Sequence, residues 1–172
     1  QEKWIGFAPF AKHLAKIYPL DKTEKIIQHF STQTNVKIFL FGGGKQETDI
    51  LDKWSKSYKR TISLAGKTSF QEELKIMAHL DCMLSMDSSN MHLANLVNTP
   101  VLSIWGATHP MAGFISLGNK RNEQIQEDIN CRPCSIYGNK KCYKKTYECL
   151  NNISTETIIS KINDLIKEKD EK

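Results

Sequence analysis

Five short apolar runs punctuate the chain: Trp4–Pro9, Val36–Phe41, Thr61–Leu64, Cys82–Met86 and Val101–Trp105. Each has strand length and is bounded by Gly, Pro or a polar cluster, which predicts buried strands. Between them the apolar positions recur at helical spacing. Asp21 and Glu24 form a capping-box pattern ahead of Ile26, Ile27 and Phe30, predicting a helix from about Lys22 to Gln33. Ile50, Leu51 and Trp54 give the next helix its stripe. Ser69 with Glu72 repeats the capping box and predicts a helix over Phe70–His79. Asp87-Ser88-Ser89, all good N-caps, precede a short helix carrying Met91, Leu93, Ala94, Leu96 and Val97. Ser154 caps a last helix, over about 154–169, in which Ile158, Ile159, Ile162, Leu165 and Ile166 share a face. Phe10 to Lys16 reads as a loop or a helical turn, Glu123–Ile129 as an edge strand, and both Gly106–Gly118 and Cys131–Cys149 as irregular.

Strand alternating with helix predicts an α/β fold, a doubly wound, Rossmann-like parallel sheet in a single domain over residues 1–172. In such sheets ligands lie outside the carboxyl ends of the strands, where a helix N-terminus offers unpaired N–H groups to an anion. Met86-Asp87-Ser88-Ser89-Asn90-Met91-His92 falls at such a place.

Composition narrows the picture. With 172 residues, 40% of them hydrophobic, the chain can bury one core. No apolar run reaches membrane-spanning length, and the first residues lack the pattern of a secretory signal. A strand begins almost at residue 1, as it would in a piece of a larger protein, although a short mature chain would look the same. The net charge of +5 comes from lysines spread along the chain, with local concentrations only at Lys53–Arg60 and Lys140–Lys145. A solvated face accounts for that spread better than a nucleic-acid footprint, so no nucleic-acid partner is expected; phosphate and anionic headgroups remain compatible with it.

Several stretches together carry a resemblance. Asp87-Ser88-Ser89-Asn90-Met91-His92-Leu93-Ala94, then Thr99-Pro100-Val101 and Trp105-Gly106-Ala107-Thr108-His109-Pro110, resemble the D-(S/T)-G-x-x-H-L-A … P-V … (F/W/Y)-G-x-T-x-P signature of the ADP-heptose:lipopolysaccharide heptosyltransferases. Lys16-Ile17-Tyr18-Pro19 is similar to that family's K-x-(W/Y)-P, Phe41-Gly42-Gly43-Gly44 with Glu47 to its glycine-rich strand end, and Gly66-Lys67-Thr68-Ser69-Phe70 to its G-K-(T/M)-S-L turn. The match covers most of residues 4–118. Members are inverting glycosyltransferases with two facing Rossmann-like domains, the GT-B arrangement, and the nucleotide sugar is held mainly by the C-terminal one. This chain resembles that half alone.

The resemblance therefore implies a donor-binding domain for ADP-heptose or a similar nucleotide sugar. It would be inactive without the N-terminal domain that brings the lipopolysaccharide-core acceptor and the aspartate base. It also implies a cytoplasmic protein, in peripheral contact with the inner membrane. Lys16 matches the lysine at the donor diphosphate, where a cation meets charge growing on a leaving group. Asp87, Ser88, Ser89 and Asn90 match the diphosphate and sugar turn, with His92 one helical turn further on. Thr68 matches a position whose backbone meets adenine, and Gly43, Gly44 and Glu47 are candidates for the nucleoside pocket. Each has an ordinary alternative: surface lysine, helix cap, structural histidine, turn residue. Ser89 departs from the family glycine, which would matter if that position needs positive φ.

Cys131-x-x-Cys134, Cys142 and Cys149 lie within 19 residues, while Cys82 reads as apolar filler in a strand. Four clustered thiols are candidate ligands for a structural zinc, although the second pair is more widely spaced than in common zinc motifs. A disulfide pair and free thiols are the alternatives. No cofactor is otherwise required. From a different functional class, a non-catalytic nucleotide-binding or zinc-stabilised interaction module would use the Lys-rich cysteine segment as its working surface.

Overall fold

The computed structural model describes residues 2–112, 114–115 and 119–167. In chain order the elements are β1 (Lys3–Ala8), α1 (Leu20–Ser31), β2 (Val36–Leu40), α2 (Lys45–Ser57), β3 (Thr61–Ser63), α3 (Phe70–His79), β4 (Cys82–Met86), α4 (Ser89–Leu96), β5 (Val101–Trp105), β6 (Glu123–Gln126), α5 (Glu148–Asn151) and α6 (Thr155–Lys167). The six strands form one sheet in the order β3-β2-β1-β4-β5-β6, and every pairing is parallel. The expected doubly wound α/β sheet is thus present. After β3 the chain returns across the sheet to lay β4 beside β1. The loops leaving these two strands diverge, which opens a crevice at their carboxyl ends.

Strand alternation divides the core. Ile5, Phe7, Ile38, Leu40, Leu84, Met86, Leu102 and Ile104 face one way, against the stripes of α1, α2 and α6. Phe39, Phe41, Met83, Val101 and Trp105 face the other, with Met77 of α3 and Met91 and Ala94 of α4. Both faces being covered explains why the strands read as continuous apolar runs.

Two helix starts differ from expectation. The predicted capping box at Asp21 and Glu24 does not form: α1 begins at Leu20 behind Pro19, whose φ of −50° suits a helix start, and no side chain caps it. The Glu24 carboxylate instead accepts a hydrogen bond from the Tyr58 hydroxyl at 3.0 Å. At α4 the N-cap is Ser88, but its hydroxyl makes no capping bond and lies 3.3 Å from the Ser85 hydroxyl. The Ser69–Glu72 box, by contrast, is complete in both directions, and α3 has the predicted bounds. The edge strand is shorter than expected, ending at Gln126. Part of the Gly106–Gly118 loop lies outside the described residues; Pro110–Ala112 within it form a single 3-10 turn.

Candidate functional site

The loops leaving β1, β2 and β4 enclose a cleft of about 650 Å³. Lys12 and Lys16 come from the first loop, Gly42 and Gly43 from the second with Glu47 on the first turn of α2, and Asp87 and Ser88 from the third with Ser89, Asn90 and His92 on α4. Phe10, Leu93 and Phe114 add apolar wall, and Glu73 of α3 closes one side.

Lys16 is held there by the residues around it. It ends a 3-10 turn, Leu14–Lys16. Two residues on, Tyr18 is fully buried; its N–H points at the Met86 sulfur at 3.3 Å and its hydroxyl donates to the Ile153 carbonyl at 3.0 Å. The Ala107 N–H reaches the Ala15 carbonyl at 3.0 Å. Anchored on both sides, the turn sets Lys16 Nζ 2.9 Å from Asp87 Oδ2. That same oxygen accepts from Thr108 Oγ1 at 2.8 Å. Asp87 is only 4% exposed, and Thr108 is fully buried. A carboxylate so enclosed needs partners, and it has a cation and a hydroxyl. Asp87 is therefore bound to Lys16 and Thr108 rather than capping α4.

Because Ser88 leaves the helix uncapped by a side chain, the first N–H groups of α4 and its positive dipole end open towards the cleft. Ser89 starts the helix and is exposed. Among the described residues, the non-glycine residues with positive φ are Arg60, Asn98, Lys145 and Tyr147, so serine at position 89 carries no left-handed strain. On the β2 side, the Gly43 N–H donates to Glu47 Oε2 at 2.9 Å, and Gly44, with φ of 76°, caps α2 from outside the cleft wall. Thr68 also stands back from the wall; its hydroxyl donates to the Leu64 carbonyl at 3.1 Å and lies 3.4 Å from Glu73. Burial pushes the Glu73 carboxyl above its ordinary pKa, partly offset by Thr68. Lys12, Glu73, Phe10 and Phe114 carried no usable signal in the sequence, and Leu93 and Thr108 were legible only as parts of a motif.

The four clustered cysteines are free thiols. Each is close enough to influence its neighbours' ionisation: Cys134 feels Cys131 and Cys142, and Cys149 feels all three. Among the described residues, however, no three or more His, Cys, Asp or Glu side chains are arranged to hold a metal ion. Arg132 fastens this segment to the sheet, donating to the carbonyls of Gly106, Thr108 and Glu127. Among the described residues no helix is long and apolar enough to cross a membrane.

Comparison with known proteins agrees with this architecture. A lipooligosaccharide heptosyltransferase 2 of Campylobacter jejuni is 25% identical over 174 residues, covering 96% of this chain and 52% of the relative. The solved ADP-heptose lipopolysaccharide heptosyltransferase II of Escherichia coli superposes with a TM-score of 0.77 at 18% identity, over 98% of this chain and 48% of that one. The E. coli heptosyltransferase WaaC solved with ADP gives a TM-score of 0.73 at 16% identity, over 95% and 44% respectively. The chain thus spans about half the length of these proteins. The family model for glycosyltransferase family 9 (heptosyltransferase) matches residues 1–145. Matched over most of its length, the chain belongs to that family.

Proposed function

We propose that this chain is the donor-binding half of an inverting glycosyltransferase of lipopolysaccharide core synthesis, and that its cleft takes ADP-heptose or a closely related nucleotide sugar. The observation that carries the reading is the ion pair of Lys16 with buried Asp87 at the open N-terminus of α4. Asp87 uses one ammonium proton and fixes where the others point, so Lys16 can donate to a diphosphate oxygen without losing its anchor. The N–H groups at the start of α4, with the Ser88 and Ser89 hydroxyls and Asn90, supply further donors. As the sugar–phosphate bond breaks, charge grows on the departing diphosphate, and pre-placed donors stabilise it. His92 stands at the mouth to meet the same group. The Gly42–Gly43 backbone, with open space beside Gly43, and the Glu47 and Glu73 carboxylates suit a nucleoside, with Thr68 beside Glu73.

Residues 1–172 act in this reading as one nucleotide-sugar-binding unit. The acceptor, lipopolysaccharide core, and the catalytic base belong to the half of the family fold that this chain does not match, so the chain alone binds donor without turnover. The full enzyme works at the cytoplasmic face of the inner membrane. Among the described residues, Cys131, Cys134, Cys142 and Cys149 are free thiols that are not arranged as a metal-ligand set.

Calorimetric titration with ADP and with adenosine tests the reading. Lys16→Ala is expected to weaken ADP about tenfold or more, the worth of a charge-assisted hydrogen bond, and to leave adenosine nearly unchanged. Equal loss of both ligands, or loss of neither, would place the phosphate site elsewhere.

A further inference from the structure

Gly138 lies in the cysteine segment, far along the chain from the cleft loops, yet it is buried, with φ of +75°. A Cβ built on it would stand 2.5 Å from both Cγ and Cδ of Lys16, and 3.4 Å from Thr108 Cγ2. These atoms are in the middle of the lysine stem. A swing of the ammonium alone could not make room for them, so the stem itself would have to turn.

The segment that brings Gly138 there is firmly seated. Arg132 donates to the carbonyls of Gly106 and Thr108, and the N–H groups of Cys134 and Ser135 both reach the Ala107 carbonyl, at 3.1 and 3.3 Å. Ser135 and Asn139 close the loop with a side-chain hydrogen bond of 3.0 Å. The same three residues, 106–108, supply the Thr108 hydroxyl to Asp87 and the Ala107 N–H to the Lys16 turn. Lys16 is thereby enclosed between a carboxylate in front and the Gly138 backbone behind.

We propose that Gly138 is a positioning residue for the donor site: its backbone is the rear wall that presses the Lys16 stem into the conformation in which Nζ meets Asp87. The cysteine segment is then part of the binding machinery, acting through Lys16. This rests on the diphosphate reading above.

A double-mutant cycle in the 172-residue chain, read by titration with ADP and adenosine and by thermal melts, separates the two. Gly138→Ala should weaken ADP about tenfold or more, as removal of the Lys16 bond does. Adenosine should stay within about twofold, the scatter of independent sites. In Lys16→Ala the atoms that the new methyl meets are gone. Adding Gly138→Ala there should cost no further ADP affinity, and should lower the melt less than the same change does in the wild-type chain. If the single variant does not fold, the double must regain a cooperative melt. Selective ADP loss in Lys16→Ala beside normal ADP binding in Gly138→Ala would overturn the inference while leaving the diphosphate site standing. So would equal loss of both ligands in Gly138→Ala, ADP losses that add in the double, or melting losses that add there. A Lys16→Ala variant that does not distinguish ADP from adenosine fails the diphosphate reading itself and takes this inference with it.

Discussion

Replacing Thr108 with valine keeps the shape of the side chain and deletes one hydroxyl. That hydroxyl is fully buried and donates at 2.8 Å to an Asp87 oxygen whose other partner is Lys16. Hydrogen bonds to charged groups contribute about 1.5–3 kcal/mol, and here water cannot replace the lost donor, so a destabilisation of about 2 kcal/mol is expected. For a chain of this size 1 kcal/mol corresponds to roughly 2–4 °C, which places the Thr108→Val melt about 4–8 °C below wild type. Thr108→Ser is the control. It retains the donor and loses one methyl group, a cost of about 1 kcal/mol. Urea unfolding with linear extrapolation measures both, provided that the slopes match wild type. Valine as mild as serine, or milder, would mean that the hydroxyl does not support Asp87 and that the three-residue arrangement has been misjudged.

Three further outcomes follow from packing and ionisation. Gly106→Ala would place a Cβ 2.5 Å from the backbone oxygen of Ala15 and 2.8 Å from Leu150 Cγ, so a loss of about 1–3 kcal/mol or more is expected in a thermal melt, together with weaker ADP binding because the Lys16 turn must shift. Among the clustered thiols, alkylation at neutral pH followed by peptide mapping should find Cys142 modified before Cys149. Backbone N–H groups, of Tyr147 first and then of Lys144, Thr146 and Lys145, hold the Cys142 thiol below its ordinary pKa, while burial pushes Cys149 up from 9.0 to about 11. Because the folded state keeps the Cys149 proton longer than the unfolded chain does, its contribution is intact below about pH 9 and is lost as pH rises from there towards 11. Cys149→Ala should flatten that part of the stability profile, and an unchanged profile would show that the thiol is not buried as described.

How far the fold could be read beforehand depended on whether a local signal had a competitor. Ser69 and Glu72 are three residues apart and hydrogen-bond each other, so their capping box formed and the helix had the expected bounds. Glu24 has Tyr58, the residue that follows α2, within reach, and a tertiary partner took it. The same division runs through the site. Motif residues Lys16, Asp87, Ser88, Ser89, Asn90 and His92 all line one cleft, together with Gly43 and Glu47. Gly44 and Thr68 lie behind it, serving a helix start and Glu73. Periodicity had no way to show that Asp87 belongs to Lys16 and Thr108, since those partners are 71 and 21 residues away in sequence. Nor could a glycine in a cysteine-bearing loop be seen as a neighbour of the lysine until the chain had folded Arg132 onto the end of β5.

The strand lengths carry one more consequence. Interior strands of the sheet have five or six residues, but β3 and β6, which lie at its two margins, have three and four. An unpaired rim of backbone donors and acceptors is an invitation to another chain, and its strength grows with its length. Here the β3 rim begins after Arg60, whose positive φ bends the backbone away from strand geometry, and β6 alternates Glu, Gln, Ile and Gln with a single buried apolar residue. Neither margin offers a run long or greasy enough to recruit a neighbour, so the sheet that frames the cleft is protected against growing sideways into an aggregate.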